Sequence, residues 1–265
     1  MLFVVLPAYN EEAALRILLD DIREACRNIP TQIIVVNDAS TDQTLQIAQA
    51  YARNYPQVRV VSHPENKGLG GSLMTGFKQA FHLRRNLPKE GLVWEKDYYH
   101  DIILTMDADN THPADRIPLM VEQINLGADL VVASRYALGG NQYGLHPLRK
   151  LLSWGAGQVM GRFFPVEGLK DYSCGYRAYR ASILENTYLI YDEELIESRS
   201  FAGMVELLVK VVNYCHDIRE IPFDLHYEKK QGKSKMKVLA TIGGYFSLII
   251  RLKKETWGWV EWVRE

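Results

Sequence analysis

The sequence predicts an α/β fold in which a mostly parallel sheet is flanked by helices, with a helical appendage at the C-terminal end. Uninterrupted apolar runs of strand length alternate along the chain with segments whose apolar residues recur at helical spacing. Strands that alternate with helices join into a parallel sheet through right-handed crossovers. Since such sheets bind ligands beyond the carboxyl ends of their strands, the same pattern indicates where a site should lie.

The elements of the first half follow in regular order. The predicted strands are Leu2–Leu6, Ile33–Val36, Val58–Val61, Ile102–Met106 and Leu130–Ala133. The predicted helices between them are a segment after Asn10 with Leu15, Leu18, Leu19 and Ile22 on one face, Ser40 to about Tyr51, Gly68–Phe81 and Asp115–Asn125. We expect Asn10 to cap the first of these helices, and Ser40 with Gln43 to form a capping box at the second.

The pattern is less regular after Ser134. Helices are predicted from Leu148 to about Phe164 and over Gly203–Tyr214, and a late strand over Ile218–Phe223. We expect one domain over residues 1–228, followed by a basic loop and an amphipathic C-terminal helical segment over residues 229–265.

Composition excludes several classes of protein. The 265 residues are 47% apolar and 24% charged, and the formal net charge is −1. These values exclude a disordered chain, and the lack of a basic excess argues against a nucleic-acid-binding protein. Cys26, Cys174 and Cys215 lie far apart, without the spacing of a zinc site or a disulfide framework. With an N-terminal apolar run too short for a signal peptide, they indicate a reducing, cytoplasmic location.

Polar residues follow three of the predicted strands, in Pro7–Glu11, Asn37–Asp42 and Asp107–Asp109. Because the carboxyl ends of parallel strands meet at one edge of a sheet, we expect these residues to form one site. Asp107 and Asp109 suit a divalent cation such as Mg²⁺ or Mn²⁺, which prefers carboxylate oxygens and keeps positions for substrate phosphates. The alternative is a solvated turn or a helix cap.

The polar motifs carry a family resemblance. They are Pro7-Ala8-Tyr9-Asn10-Glu11, Val36-Asn37-Asp38-Ala39-Ser40-Thr41-Asp42, Asn66-Lys67-Gly68-Leu69-Gly70 and Asp107-Ala108-Asp109. This set resembles glycosyltransferase family 2, with its nucleotide-sugar-binding GT-A (Rossmann-like) fold. Later motifs are similar to those of the dolichol- or polyprenyl-phosphate mannose synthase branch, in Ser134-Arg135-Tyr136, Arg149–Ser153, Asp171–Ala178 and Gly232–Met236.

The resemblance implies a donor-binding set and a metal. Pro7, Tyr9, Glu11 and Asp38 match positions that hold the base and ribose, and Asp107 and Asp109 match the metal pair. Carboxylates at such positions accept hydrogen bonds from base N–H or ribose hydroxyl groups. For Asp38 the alternative is a helix cap, and for Pro7 it is ordinary turn chemistry.

Lys67 lies in the glycine-rich start of a predicted helix, where backbone N–H groups favour anions. A phosphate-binding loop is one interpretation of this segment, and Lys67 as a plain surface charge is the other.

The branch resemblance also implies an acceptor-phosphate set, Arg135, Arg149, Ser153 and Lys229. Guanidinium forks suit a phosphate dianion, and Arg149 and Ser153 at i and i+4 share one helix face. The alternative for Arg149 is a solvated helix start. Two positions depart from the branch: Thr111 stands where it typically has Gln, which puts a third metal ligand in doubt, and Lys229 stands where it often has Arg.

The chemistry of the acceptor decides whether a base is required. A lipid phosphate is already anionic and needs only to be oriented, whereas a hydroxyl acceptor needs a carboxylate to take its proton. Glu206 and Asp171 are the candidate bases. For Glu206 the alternative is a surface position on an amphipathic helix.

The C-terminal third carries a membrane-surface pattern. A lysine cluster over Lys229–Lys237 precedes the apolar run Val238–Ile250, which is too short to span a bilayer. A second basic group, Arg251, Lys253 and Lys254, and three tryptophans, Trp257, Trp259 and Trp262, follow it. An interfacial helix on the cytoplasmic face of a membrane is one interpretation. A helix packed on the core or on a second subunit is the other.

The resemblance, with the motifs that carry it, therefore implies an inverting, metal-dependent transferase of a mannose-like hexose. Its donor is a GDP- or UDP-linked sugar, and its acceptor is a polyprenyl or dolichyl phosphate. The alternatives are a transferase of the same fold acting on a soluble or saccharide hydroxyl, and a nucleotide-sugar-binding protein without activity. The oligomeric state is left open, a homo-oligomer included.

Overall fold

The computed structural model describes residues 1–86, 101–230 and 243–253. Its strands are β1 (Leu2–Ala8), β2 (Thr31–Asn37), β3 (Val58–Ser62), β4 (Ile102–Thr105), β5 (Leu130–Ser134), β6 (Asn141–Tyr143), β7 (Arg177–Arg180), β8 (Ile218–Pro222) and β9 (Asp224–His226). Its helices are α1 (Leu15–Ala25), α2 (Thr44–Asn54), α3 (Gly68–Asn86), α4 (Ile117–Asn125), α5 (Pro147–Phe163), α6 (Ala181–Tyr191), α7 (Ala202–Val212) and α8 (residues 243–253).

Seven strands form one sheet in the order β3-β2-β1-β4-β7-β5-β8, and β6 and β9 form a separate parallel pair. The six predicted strands are confirmed, and so is the α/β class. The sheet is mixed, because β7 runs antiparallel to both β4 and β5. Sequence reasoning missed β7, because this four-residue strand begins and ends with arginine. Arg177 is nevertheless fully buried, where its guanidinium donates to the carbonyls of Met204 and Tyr172.

The chain reverses its winding direction at β1. Strand β1 pairs in parallel with β2 on one side and with β4 on the other, so that Ala8 lies beside Asn37 and Val5 beside Thr105. The loops after β1, β2 and β4 consequently open at the same edge of the sheet. A strand-order reversal of this kind is where open α/β sheets bind ligands.

The two capping predictions are wrong. Asn10 adopts a left-handed backbone with φ 53°, whereas a capping residue normally has extended geometry. Its Oδ1 accepts a hydrogen bond from the backbone of Thr41 at 2.7 Å, and its own N–H donates to Ser40 Oγ at 3.0 Å. These short polar side chains therefore join the loops after β1 and β2. Helix α2 begins at Thr44, whose backbone N–H donates to Asp42 Oδ1 at 2.9 Å.

Helix α8 packs on the domain. Leu248, Ile249 and Leu252 are buried in the hydrophobic core, whereas Phe246 and Ile250 are exposed. No helix in the described ranges has both the length and the apolar character needed to cross a bilayer. The Gly232–Met236 motif, most of the lysine cluster, Lys254 and the three C-terminal tryptophans lie outside the described residues.

Candidate active site

Asp107 and Asp109 lie just beyond β4, at the edge where the three loops meet. Asp109 is 6% exposed, and its Oδ1 accepts hydrogen bonds from the backbone N–H and hydroxyl of Thr111 at 3.1 and 2.7 Å. Its Oδ2 accepts a hydrogen bond from the ammonium of Lys230. Thr111 thus orients Asp109 by donating two hydrogen bonds to it. Thr111 stands at the position where the branch typically has Gln.

The two carboxyl groups differ electrostatically. Burial raises the pKa of Asp107, and the neighbouring charge of Asp109 raises it further, against the opposing charges of His112 and Lys230. For Asp109, burial also acts to raise the pKa, but the charge and hydrogen bond of Lys230 outweigh it and hold the pKa below its usual value. The pair therefore favours positive charge beside it.

The residues present fit a divalent cation. Among the described residues, no donor bonds to the Asp107 carboxyl group, which is half-buried and lies close enough to Asp109 for the two charges to interact. Within those ranges no group of three or more His, Cys, Asp and Glu side chains is arranged to hold a metal ion. Two carboxylates completed by phosphate oxygens and water are a usual environment for Mg²⁺. Asp107 and Asp109 would therefore hold such a cation together with oxygen ligands from outside the protein.

Asp38 fastens the loop after β2 to the start of α3. It is 3% exposed, and its carboxylate accepts hydrogen bonds from the backbone N–H groups of Lys67 and Gly68, each at 2.8 Å. The ring of His63 contacts the same carboxylate at 2.7 Å. Leu69 N–H donates to the carbonyl of Arg199 at 3.0 Å, so the first backbone donors of this helix are engaged within the chain. The side chain of Lys67 is exposed.

The remaining donor-set residues lie along the end of β1. Pro7 is part of that strand, and Tyr9 is 37% exposed beyond it. Glu11 is buried, with its backbone N–H on Thr44 Oγ1 at 2.7 Å. The charge of Glu11 acts on Lys230, so Glu11 belongs to the same electrostatic cluster as Asp107 and Asp109.

Arg135 and Ser153 are linked by Ser173, a residue that sequence reasoning did not single out. The guanidinium of Arg135 binds both oxygens of the fully buried Asp171 at 2.7 Å. It also donates to Ser173 Oγ at 2.7 Å, and Ser173 Oγ lies 3.3 Å from Ser153 Oγ. Burial acts to lower the pKa of Arg135, but Asp171 outweighs it and raises that pKa above its usual value. Arg135 is therefore a permanent cation in a fixed orientation.

Tyr227 lies between Arg149 and Lys230, the lysine that contacts Asp109. Its guanidinium donates to the Tyr227 hydroxyl at 2.7 Å, and the Lys230 ammonium lies 5.9 Å from the centre of the Tyr227 ring. Lys229, the residue expected in the acceptor set, is exposed, and its neighbour Lys230 points into the site instead. Two adjacent lysines in a basic segment look alike in sequence, so no signal distinguished them.

The surface alternative for Glu206 is wrong. Glu206 is fully buried and binds Lys210 at 3.0 Å and Arg251 of α8 at 2.6 Å. Its other oxygen accepts the backbone N–H of Ser198 at 3.0 Å. Helix α7 is apolar nearly all round, and this pattern is typical of a buried helix and was the available signal. Both candidate bases, Glu206 and Asp171, are thus engaged in buried ion pairs.

Comparison with known proteins gives a consistent family. The family model described as Glycosyl transferase family 2 matches residues 3–83 and 95–187. The undecaprenyl-phosphate mannosyltransferase of Micrococcus luteus is 32% identical, over 88% of this chain and 86% of its own length. The dolichol-phosphate mannosyltransferase of Pyrococcus furiosus is 32% identical over 95% of this chain, which spans 63% of that protein.

A solved structure supports the fold. Glucosyl-3-phosphoglycerate synthase from Mycobacterium tuberculosis, in complex with Mn²⁺, UDP-glucose and phosphoglyceric acid, is similar with a TM-score of 0.62. The match covers 94% of this chain and 79% of the other at 19% identity, so it bears on the architecture alone.

Proposed function

The chain belongs to glycosyltransferase family 2, and on that basis we propose that it is an inverting hexosyltransferase with a polyprenyl or dolichyl phosphate acceptor. Its donor is a GDP- or UDP-linked, mannose-like hexose. Relatives named as undecaprenyl- and dolichol-phosphate mannosyltransferases support this assignment of sugar and acceptor.

One observation carries the choice of acceptor: both candidate general bases are held in buried ion pairs, Asp171 by Arg135 and Glu206 by Lys210. A hydroxyl acceptor needs a carboxylate to remove its proton, whereas a phosphate monoester is already an anion at neutral pH. Arg135 with the hydroxyls of Ser173 and Ser153, and Arg149 with the hydroxyl of Tyr227, supply the cations and donors that suit such an anion.

The transfer is a single displacement at the anomeric carbon. An acceptor phosphate oxygen forms the new bond to that carbon, while the bond to the donor diphosphate breaks and its electron pair leaves with the nucleoside diphosphate. Arg135 and Arg149 hold and orient the acceptor phosphate, and no proton has to be removed from it. When bound at Asp107 and Asp109, Mg²⁺ or Mn²⁺ supplies Lewis-acid stabilisation of the leaving diphosphate.

The proposal includes contact with a membrane surface. Helix α5, which carries Arg149 and Ser153, exposes Leu151 at 60% and Trp154 at 51%. The end of α8 lies beside the end of α5, where the Lys253 ammonium is 5.4 Å from the Phe163 ring centre. Exposed tryptophan and leucine beside basic residues are typical of peripheral membrane helices. Arg149 and Ser153 lie on the opposite side of the same helix, so membrane contact through Leu151 and Trp154 would bring the phosphate-binding residues to about one helix diameter from the lipid surface.

A matched acceptor pair tests the function. The full chain is incubated with GDP- and UDP-hexoses and Mn²⁺, and with either a polyprenyl phosphate or the corresponding polyprenol, which differs only by the phosphate. We expect transfer to the phosphate alone, and loss of transfer in Asp109→Ala with binding of the lipid phosphate retained. Transfer to the polyprenol or a saccharide hydroxyl, with the lipid phosphate inert, would contradict the proposal.

A further inference from the structure

Lys230 contacts the Asp109 carboxylate oxygen that Thr111 does not engage. Thr111 takes Oδ1 through two hydrogen bonds, at 3.1 and 2.7 Å, and the Lys230 ammonium takes Oδ2. The contact is sheltered, since the Lys230 side chain is 14% exposed and that of Asp109 is 8% exposed. A divalent cation bound to Asp109 through its less engaged oxygen must use the atom that Lys230 contacts.

We propose that Lys230 is a tethered cation that competes with the divalent metal for Asp109, so that metal binding requires Lys230 to leave. An ammonium and a Mg²⁺ or Mn²⁺ ion cannot share one carboxylate oxygen within contact distance, because their like charges repel strongly in a sheltered site. This inference rests on the metal-dependent activity proposed above and deepens it. It assigns the lysine a role in setting metal affinity.

The same lysine links the metal to the acceptor side. Lys230 follows directly on the short 3-10 turn Tyr227–Lys229, and its ammonium is 5.9 Å from the Tyr227 ring centre. The Tyr227 hydroxyl in turn accepts a hydrogen bond from Arg149 at 2.7 Å. Displacement of Lys230 therefore releases one end of a segment whose other end holds an acceptor-phosphate residue. Metal binding and the acceptor side are coupled through this contact.

Direct measurement of metal affinity tests the competition. Mn²⁺ binding to the nucleotide-free full chain is followed by calorimetry or by the loss of the free-ion paramagnetic signal. Lys230→Met removes the competing charge, and we expect about tenfold tighter Mn²⁺ binding. Lys230→Arg keeps the charge, and Lys229→Met alters the exposed neighbour, so both should bind Mn²⁺ as the unaltered chain does. Equal or weaker binding by Lys230→Met overturns the proposal.

A measurement on the unaltered chain needs no variant. Hydrogen exchange of the segment Tyr227–Lys230 should speed up when Mn²⁺ is added, because the segment loses its anchor on Asp109. Unchanged or slower exchange at saturating Mn²⁺ overturns the proposal as well. A negative result in these Mn²⁺ experiments contradicts the competition but not the transferase activity. A chain that transfers no sugar but shows the Mn²⁺ competition contradicts only the proposed function.

Discussion

Asp171 grips Arg135 with both carboxylate oxygens, at nitrogen–oxygen distances of 2.7 Å each, from a position with no exposed surface. The pair fixes the direction of the guanidinium, and Ser173 extends the arrangement to Ser153 on α5. Buried pairs of this kind contribute orientation more reliably than stability, but removing one partner leaves an uncompensated charge. Asp171 is therefore a positioning residue, and its loss has a defined pH signature.

Asp171→Asn should lose stability in a pH-dependent way. Burial acts to raise the pKa of Asp171, but Arg135 outweighs it, so the folded-state pKa lies below the ordinary value of 3.8. A lowered folded pKa contributes stability above the unfolded pKa, and the contribution disappears as the pH falls through the folded value. We expect Asp171→Asn to be about 3 kcal/mol less stable at pH 7. In urea unfolding from pH 7 to pH 3, the difference in unfolding free energy between the two proteins should shrink only below about pH 3.8, the ordinary aspartate pKa.

A surface substitution provides the control for that experiment. The Asp115 side chain is 72% exposed, so Asp115→Asn should change the unfolding free energy little at any pH. A penalty for Asp171→Asn that stays constant down to pH 3 would contradict the ion-pair explanation.

Arg149→Lys should weaken the acceptor and spare the donor. Lysine keeps the positive charge but loses the planar fork and the fixed contact with Tyr227. We expect KM for the polyprenyl phosphate to rise about tenfold with KM for the nucleotide sugar unchanged. Arg162→Lys, an exposed substitution in the last turn of the same helix, should leave both values as they are. A rise in the donor KM instead would place Arg149 on the nucleotide side.

Glu206→Gln should affect stability rather than chemistry. The substitution removes the negative charge that compensates Lys210 and Arg251 in a fully buried network. We expect a loss of about 3 kcal/mol in unfolding free energy, with kcat for the lipid phosphate largely retained. Glu122→Gln on the exposed side of α4 is the matched surface change. A selective collapse of kcat in a variant that remains folded would restore Glu206 as a base.

The apolar face of α5 should mediate binding to anionic vesicles. We expect the full chain to float with such vesicles, and the double substitution Leu151→Ser and Trp154→Ser to reduce the floated fraction several-fold. Leu126→Ser removes an equally exposed leucine, at 61%, beyond the end of α4 and should float normally. Equal flotation of all three proteins would show that this face does not bind the bilayer.

Two helical glycines should respond oppositely to alanine. A Cβ at Gly76 would lie 2.2 Å from Cγ1 of Val5 in strand β1, whereas a Cβ at Gly155 would meet no atom within 4 Å. We expect Gly76→Ala to cost about 2 kcal/mol through overpacking. Gly155→Ala should gain about 0.5 kcal/mol from the lower entropy of the unfolded chain. Thermal or urea unfolding measures the change in stability of each variant. Equal changes in the two variants would contradict the close approach of α3 to β1.

Sequence reasoning succeeded where a single local signal decided the outcome. The apolar runs of β1, β2 and β4 located three strands, and the strand rule then located Asp107 and Asp109 at their common edge. It failed where a side chain bonds to a residue far away in the sequence. Asn10 bonds to Thr41, across two loops, because parallel neighbouring strands bring those loops together. No local pattern contains that contact.

The same reason explains what was missed in the site. Ser173 and Tyr227 were not predicted, and Asp171 was predicted as a base rather than as the partner of Arg135. Their partners Ser153, Arg149 and Arg135 lie far from them in sequence, so only the folded chain shows these contacts. Lys230 differs from Lys229 only in the direction it faces after the turn. The sequence thus did not indicate the long-range contacts of polar groups, nor the short strand β7.

The position of β7 has a consequence for engineering. The residues proposed to bind the nucleotide all precede β5 along the chain, and those proposed to bind the acceptor all follow its start. A chimera could in principle exchange one half between relatives. Strand β7 belongs to the second half yet lies between β4 and β5, with Tyr179 beside Ile103. Any graft must therefore bring a β7 that fits the host's central strand, and mismatched donors will fail by unfolding before their acceptor preference is ever seen.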